Sequence, residues 1–334
     1  MRLSTVRFAA PAVLLTAPVF GQGAADKFDF DVVPDFRATT NAEFAGWDVF
    51  TIAFGGPNTP DDAGTTAAST ITQMTPGAII TSTMNIYHPS ATPVFELDTT
   101  TATDAREVVL QLRTLGNPLD VNSPFLQFDD GGSTVTLAAD VYTDLSGGGG
   151  FAAENYFSWD LTGQSAEITS FKVGFAGMAS NLSLDAALFD VRVDGAIGTN
   201  YCSANANSTG VPAEISARGT ELVDSNDITL VATSLPANAS AFFLNSLDQG
   251  FAANPGGSQG NLCLGGAVGR YDAFVFNSGS AGEGSLTIDL TAIPTPTGLA
   301  TAMAGDTWNF QTWYRDANPS ATSNFSNGVS VTLL

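Results

Sequence analysis

Short runs of alternating or wholly apolar residues, each closed by a turn, recur along most of this chain. They begin with DVFTIAF (48–54) and AIITSTMNIY (78–87) and continue through VFELD, REVVLQLRTL, FLQF, TVTLAADVY, YFSWDL, SFKVGFA and LFDVRV. EISARG, ITLVATSL, SAFFLNS, NLCLGG, YDAFVF, SLTIDLTAI, TWNFQTWYRD and VSVTLL complete the series. Between them stand GGPNTPDDAG, NPLDVNSP, DDGGS and LSGGGG, rich in the residues that turns require. Helical periodicity is scarce, so the pattern predicts an all-β chain of β-sandwich, jelly-roll-like kind. Within it, Glu107 to Leu115 reads as a strand with Val108, Leu110 and Leu112 on a wholly apolar face that belongs in a core. Val109, Gln111, Arg113 and Leu115 take the other face.

The first residues have a different purpose. Arg2 and Arg7 precede an apolar run, Phe8 to Phe20, that reaches the small residues of GQGAA. This order is that of a secretory signal peptide, with cleavage expected after Gly21 or Gly23, and the run is too short for a membrane span of about 20 residues. The expected product is a secreted or cell-surface protein with no membrane insertion. Beyond residue 23, nine bases face 33 acids, a net charge of −24. Nucleic acid, which demands a basic footprint, is therefore not an expected partner. Residues 24–198 hold 23 acids and 6 bases, and residues 199–334 hold 10 and 3. The change in charge density falls at GAIGTN (195–200), where the sequence predicts a boundary between two β-sandwich domains, 24–198 and 199–334.

Both cysteines, Cys202 and Cys263, fall in the second domain. In an exported chain such an isolated pair is most simply a disulfide, two buried thiols being the alternative. Closing a loop of about 60 residues contributes about 4 kcal/mol in the chain-entropy model.

YCSANANSTGVPAEISARG, ITLVATSLPAN, GNLCLGGAVGR and TWNFQTWYRDANPSATSNFSNGVSVTL together resemble the C-terminal β-sandwich module that recurs in secreted and surface proteins of environmental bacteria. The resemblance covers residues 199–334 and implies an extracellular module that follows another β domain; it carries no characterised activity. The N-terminal half resembles jelly-roll carbohydrate-binding or lectin-like domains in style alone.

Candidate sites are few. In WNFQTWYRD (308–316), Trp308, Phe310, Thr312 and Tyr314 should face a core, and Asn309, Gln311, Trp313 and Arg315 the other side. Trp313 is then an exposed aromatic among polar neighbours, suited to stacking on a sugar or to a contact surface. Arg315 with Asp316 reads as a pair at the strand end. Calcium is the candidate structural ion and no other cofactor is implied. Asp29, Asp31 and Asp35, and Asp129 with Asp130, offer hard oxygen ligands near turns, with solvated turn acids as the competing reading. GGSQG (256–260) matches the G-x-S-x-G pattern without the strand and helix that a nucleophile elbow needs. The single histidine, His88, reads as a loop or core residue with its hydrogen bonds satisfied. Jelly-roll glycosidases carry Glu-x-Asp-x-x-Glu on one strand, whereas here Glu96-Leu97-Asp98-Thr99-Thr100-Thr101 ends in Thr. The leading expectation is a non-enzymatic protein of adhesion, glycan contact or envelope structure, with polysaccharide or other cell-surface proteins as partners. The alternative is a secreted polysaccharide-active enzyme, a glycoside hydrolase or lyase, sited in the N-terminal jelly roll. An enzyme should show paired acids in an aromatic-lined cleft.

Overall fold

In the computed structural model, which describes residues 27–146 and 152–334, every strand pairing is antiparallel, and the only helical turns are four short 3-10 segments. The signal peptide expected over residues 1–23 lies outside the described residues. Two sheets enclose a first core. Sheet 1 runs in the order 141–144, 152–160, 105–116, 182–193, 86–88 and 79–80, with Ala42–Trp47 also paired to Leu182–Val193. Sheet 2 runs 57–58, 68–73, 94–100, 170–176, 125–129 and 134–138. Val108, Leu110 and Leu112 of Ala105–Gly116 project into this core and meet Phe95, Leu97, Phe171 and Val173 of sheet 2. The apolar face read from the sequence is thus the core face, because side chains of a strand alternate strictly.

Two further sheets enclose a second core. Sheet 3 (195–197, 214–219, 228–233, 284–288) packs on sheet 4, whose order is 199–201, 321–332, 307–317, 240–246 and 269–270. Trp308, Phe310 and Tyr314 enter this core beside Phe243, Leu230 and Ile288. Thr312 is buried on the same strand. The chain changes core at Asp194. Gly195–Ile197 already pairs with Glu214–Gly219, and Ile197 lies in the second core. A Cβ at Gly195 would meet Asn41 Oδ1 at 2.2 Å, so only glycine lets the two sandwiches approach here. Asn41 Nδ2 donates across the junction to Gly219 O at 2.9 Å, and Thr40 Oγ1 donates to Glu221 Oε1 at 2.8 Å.

The polar strand faces behave differently from a solvent-facing reading. Gln111 and Gln311 are both fully buried, each beneath a segment that crosses the outside of its sheet. Gln111 Oε1 accepts from Val32 N at 2.8 Å, and its Nε2 donates to Val32 O at 3.1 Å. Gln311 Oε1 accepts from Cys263 N at 2.9 Å, and its Nε2 donates to Asn261 O and Ser326 O at 2.8 and 2.7 Å. A glutamine amide carries the same donor and acceptor as a peptide group, so each serves as a strand neighbour standing out of the sheet. Residues 27–37 are strapped over sheet 1 in this way, and the hairpin Gln249–Ala253/Asn261–Leu264 over sheet 4. Gln111→Leu should keep the volume but leave Val32 N–H and C=O unpaired beneath the strap, at a cost of about 2 kcal/mol. Urea unfolding measures it; an unchanged midpoint would show that water satisfies the strap and that the amide is dispensable.

The N-terminal strap is also held by charge. All six bases between Lys27 and Arg192 are ion-paired. Arg37 reaches both Asp31 and Asp190, its Nε and Nη2 donating to the two Asp190 oxygens at 2.5 and 2.7 Å. Asp190 is wholly buried. Its burial pushes the carboxyl up to about 6 against the pull of Arg37, while the Arg37 guanidinium is held charged, well above its ordinary range, by the two carboxylates. Arg113 pairs with Asp29 at 2.5 Å and Asp185 at 3.3 Å, and Lys27 with Asp185 at 3.2 Å.

Candidate functional site

Residues 307–317 and 240–246 place three distinctive side chains on the outer face of sheet 4, beyond the edge of the covering hairpin. Phe242 stands directly opposite Trp313 in register. Their ring centroids are 4.9 Å apart, tilted by 35°. The Arg315 guanidinium, two residues along the same strand, lies 5.1 Å from the Trp313 ring centroid. Trp313 and Phe242 remain partly accessible, and Arg315 is exposed. Below them Leu244, Leu262, Leu264 and Phe325 form a small separate core that fixes the two rings. The outward position of Trp313 and Arg315 follows from strand alternation as expected.

The rest of that face does not stay open, since Asn309 and Gln311 are sealed under the hairpin. Nor do Arg315 and Asp316 form a pair: as strand neighbours they point to opposite sides. Asp316 is buried and accepts from Ser208 N and Ala317 N at 3.2 and 2.8 Å. Phe242 was not singled out from sequence. The signal was present in SAFFLNS, where Phe243 fills the core, so alternation must turn Phe242 outward.

Charge distinguishes this surface. Among the described residues, Arg218, Arg270 and Arg315 of the second sandwich make no ion pair, in contrast to all six bases of the first, and all three are exposed. Arg270 stands opposite Leu244 in register, on the flank of the same outer face. A guanidinium stacked on an indole keeps its planar fork free to hydrogen-bond a carboxylate or sulfate. The indole contributes by cation–π attraction and by limiting the rotamers of the arginine.

The acids flagged as oxygen ligands are dispersed. Asp29 and Asp31 are taken by Arg113 and Arg37. Asp35 opens the 3-10 turn Asp35–Ala38. Asp129 and Asp130 cap their own hairpin turn, with Asp129 Oδ1 accepting from Gly131 N at 2.8 Å and Asp130 Oδ1 from Ser133 N at 2.8 Å and Gly132 N at 3.0 Å. Those backbone hydrogen bonds hold the Asp130 carboxyl below the ordinary carboxylate range. Among the described residues, no group of three or more His, Cys, Asp or Glu side chains is placed to hold a metal ion.

Sheet 2 also bears a polar cleft of about 530 Å³ on its outer face, lined by Asp98, Asp129, Glu167 and Lys172 among others. Lys172 pairs with Glu96 at 3.3 Å. Phe128 and Phe171 border this cleft but turn into the core, with 3% and 4% of their surface exposed, so no aromatic wall is presented there. His88 is buried with Ala91 N donating to Nδ1 at 3.0 Å and Nε2 3.0 Å from Pro76 O. The accepting Nδ1 places the proton on Nε2, and the ring is satisfied as a structural residue. Ser258 of GGSQG sits in the turn of the covering hairpin, buried, with Oγ 3.5 Å from Gly260 O, and has no base beside it. Cys202 and Cys263 form a disulfide.

No family model matches this chain, and no curated protein does. Among solved structures, it is similar to a β-1,2-glucanase from Parabacteroides distasonis at 9% identity and a TM-score of 0.22, covering 88% of this chain and 36% of that one. It is similar to β-glucuronidase 2 from Bacteroides uniformis at 12% and 0.17, covering 86% and 31%. A glycoside hydrolase domain, Endo-D from Streptococcus pneumoniae R6, gives 10% and 0.18, covering 88% and 36%. The chain thus spans about a third of the length of each, and likeness at these scores supports neither a shared fold nor a shared activity.

Proposed function

We propose that this protein is a non-enzymatic, exported β-sandwich protein that contacts extracellular glycan through the Phe242–Trp313–Arg315 surface. The observation that carries this reading is Arg315: a cation exposed, stacked on a part-open indole and without an acid partner, in a chain whose acids outnumber its bases three to one. An aromatic platform offers the apolar face of a sugar ring a flat partner, and the guanidinium offers its hydroxyls or carboxylate a donor fork. The disulfide is consistent with an oxidising compartment. A polysaccharide-active enzyme would require paired carboxylates beside exposed aromatics; the cleft on sheet 2 has acids without them, whereas a second cleft, between the sandwiches, has Asp35, Glu107 and Asp224 in its lining with Tyr156, so turnover decides between the two readings.

The test is binding and turnover on a panel of neutral and acidic polysaccharides. The parent protein should bind and release no oligosaccharides, and Trp313→Ala should weaken binding about tenfold, the loss of one stacking contact of about 1–2 kcal/mol. Released oligosaccharides would overturn the non-enzymatic reading. Undiminished binding by Trp313→Ala would remove this surface from the account.

A further inference from the structure

Where the two sandwiches meet there is a cleft of about 790 Å³. One wall is the end of the N-terminal strap, Val32 to Asp35; the opposite wall is Leu222 to Asp224 with Met303, from the second sandwich. Glu107 and Tyr156 of sheet 1 line it between them. Val33 and Met303 expose 59% and 65% of their surface at its mouth, an apolar exposure on both sides of one cleft that a bound partner would relieve.

The charge of the cleft is one-sided. Three side-chain carboxylates line it, Asp35, Glu107 and Asp224, and no lysine or arginine does. Arg192 lies behind Glu107 at 3.4 Å and is shared with Asp227 at 3.1 Å. It therefore answers part of Glu107 and leaves Asp35 and Asp224 without a base. The crowding is felt within the cleft. Burial first, and then Asp160 and Asp35, push the Glu107 carboxyl up against the pull of Arg192. The Tyr156 hydroxyl is raised first by burial and then by Glu107, Asp190 and Asp35.

These features select a ligand class by elimination. An anion is repelled by three carboxylates. A sugar could set some hydroxyls on the carboxylates, but the others would press against valine and methionine, where they find no partners. A metal ion needs converging oxygen ligands, and no such group is found among the described residues. An organic cation with an apolar body meets both demands, its charge toward the acids and its methylenes or methyls toward the walls.

We propose that this junction cleft binds a small alkylammonium or quaternary ammonium ligand, seated beside Tyr156 among Asp35, Glu107 and Asp224, with its apolar part against Val33 and Met303. The site belongs to both sandwiches and is separate from the Trp313 surface.

Titration of the full chain with choline, and with its neutral isostere 3,3-dimethylbutan-1-ol, tests this while methionine-methyl NMR follows Met303. Saturable binding of choline that moves the Met303 signal, with the isostere at least about tenfold weaker, is the expected result. Val33→Lys, at an exposed position where folding should be untouched, should abolish binding by placing a fixed cation in the site, and Trp313→Ala should leave it unchanged. Equal binding of the isostere would overturn the ionic basis of the site. Absence of choline binding by protein with a native methyl spectrum, or full binding by Val33→Lys, would overturn the site itself.

Discussion

Arg37→Ala should lower the free energy of unfolding by about 3–5 kcal/mol, the range for removing one partner of a buried ion pair. The size follows from what is left behind. Asp190 sits fully buried on the outer side of Leu182–Val193, and the variant strands its carboxylate with neither water nor a cation. The arginine also contributes packing, with its guanidinium 4.5 Å from the centre of the Phe44 ring. The pH dependence distinguishes the ionic part from the packing part. The Asp190 carboxyl in the folded protein is raised to about 6, above its ordinary value of 3.8. A raised acid binds its proton more tightly in the folded state, so its contribution to stability falls as pH rises from about 4 through 6. Without Arg37 the carboxyl should rise further, so the deficit of the variant should be larger at pH 8 than at pH 5, where protonation removes the stranded charge. Arg37→Met combined with Asp190→Leu should recover most of the loss, since an apolar pair of similar volume leaves no charge to solvate. Urea titrations of the three variants at both pH values measure this. A loss below about 1 kcal/mol, or one independent of pH, would mean that water reaches Asp190 and that the strap is held by its apolar contacts, Phe28 and Phe30 packed with Phe44, Ala186 and Leu188 of sheet 1.

That network also shows where sequence reading stopped. The strands were legible because alternation is a local property: Val108, Leu110 and Leu112 announced a core face, and so did Trp308, Phe310 and Tyr314. Cys202 and Cys263 could be paired because the chain has no other cysteine. The covering of the opposite faces was not legible, because it depends on partners far apart in the chain. Asp29 meets Arg113 across 84 residues and Arg37 meets Asp190 across 153, and nothing local to FDFDVVPD distinguishes a carboxylate awaiting an arginine from one awaiting an ion. Gln111 and Gln311 likewise read only as residues of the face opposite a core, and nothing near them in sequence announces the strap and the hairpin laid over them. At the candidate surface, Trp313 and Arg315 were found by the failure of one residue to fit a polar face, whereas Phe242 belongs to another strand and needed the register. The junction cleft could not be foreseen, since its walls come from residues 32–36, 107, 156, 222–225, 302–304 and 334.

The disulfide bears on the same covering hairpin, and its removal should have the second large effect. Cys202→Ser with Cys263→Ser opens a loop of 61 residues, which in the chain-entropy model costs about 4 kcal/mol. The loss should be confined to one core. Cys263 is buried in the strand whose backbone Gln311 holds, and its neighbours Leu262 and Leu264 pack on Leu244, Phe325 and Trp313. Without the crosslink the hairpin keeps its own short pairing, those contacts and hydrogen bonds such as Gln259 N to Ser323 O and Tyr201 Oη to Cys263 O, so it is loosened over the polar row of Asn309 and Gln311 rather than released. The four tryptophans divide evenly, Trp47 and Trp159 in or beside the first core and Trp308 and Trp313 in or beside the second. Fluorescence-detected unfolding of the double variant with Trp47 and Trp159 replaced by Phe should therefore report a transition moved by the full amount. The same variant carrying Trp308→Phe and Trp313→Phe should report one nearly unmoved, each read against its disulfide-intact control. Limited proteolysis should find its new cleavage within 249–264. If both pairs of tryptophans reported the same displaced transition, the polar junction at Asn41, Thr40 and Arg192 would be strong enough to couple the two sandwiches into a single folding unit. The junction cleft would then be as stable as either core, and its ligand would stabilise the whole chain rather than one interface.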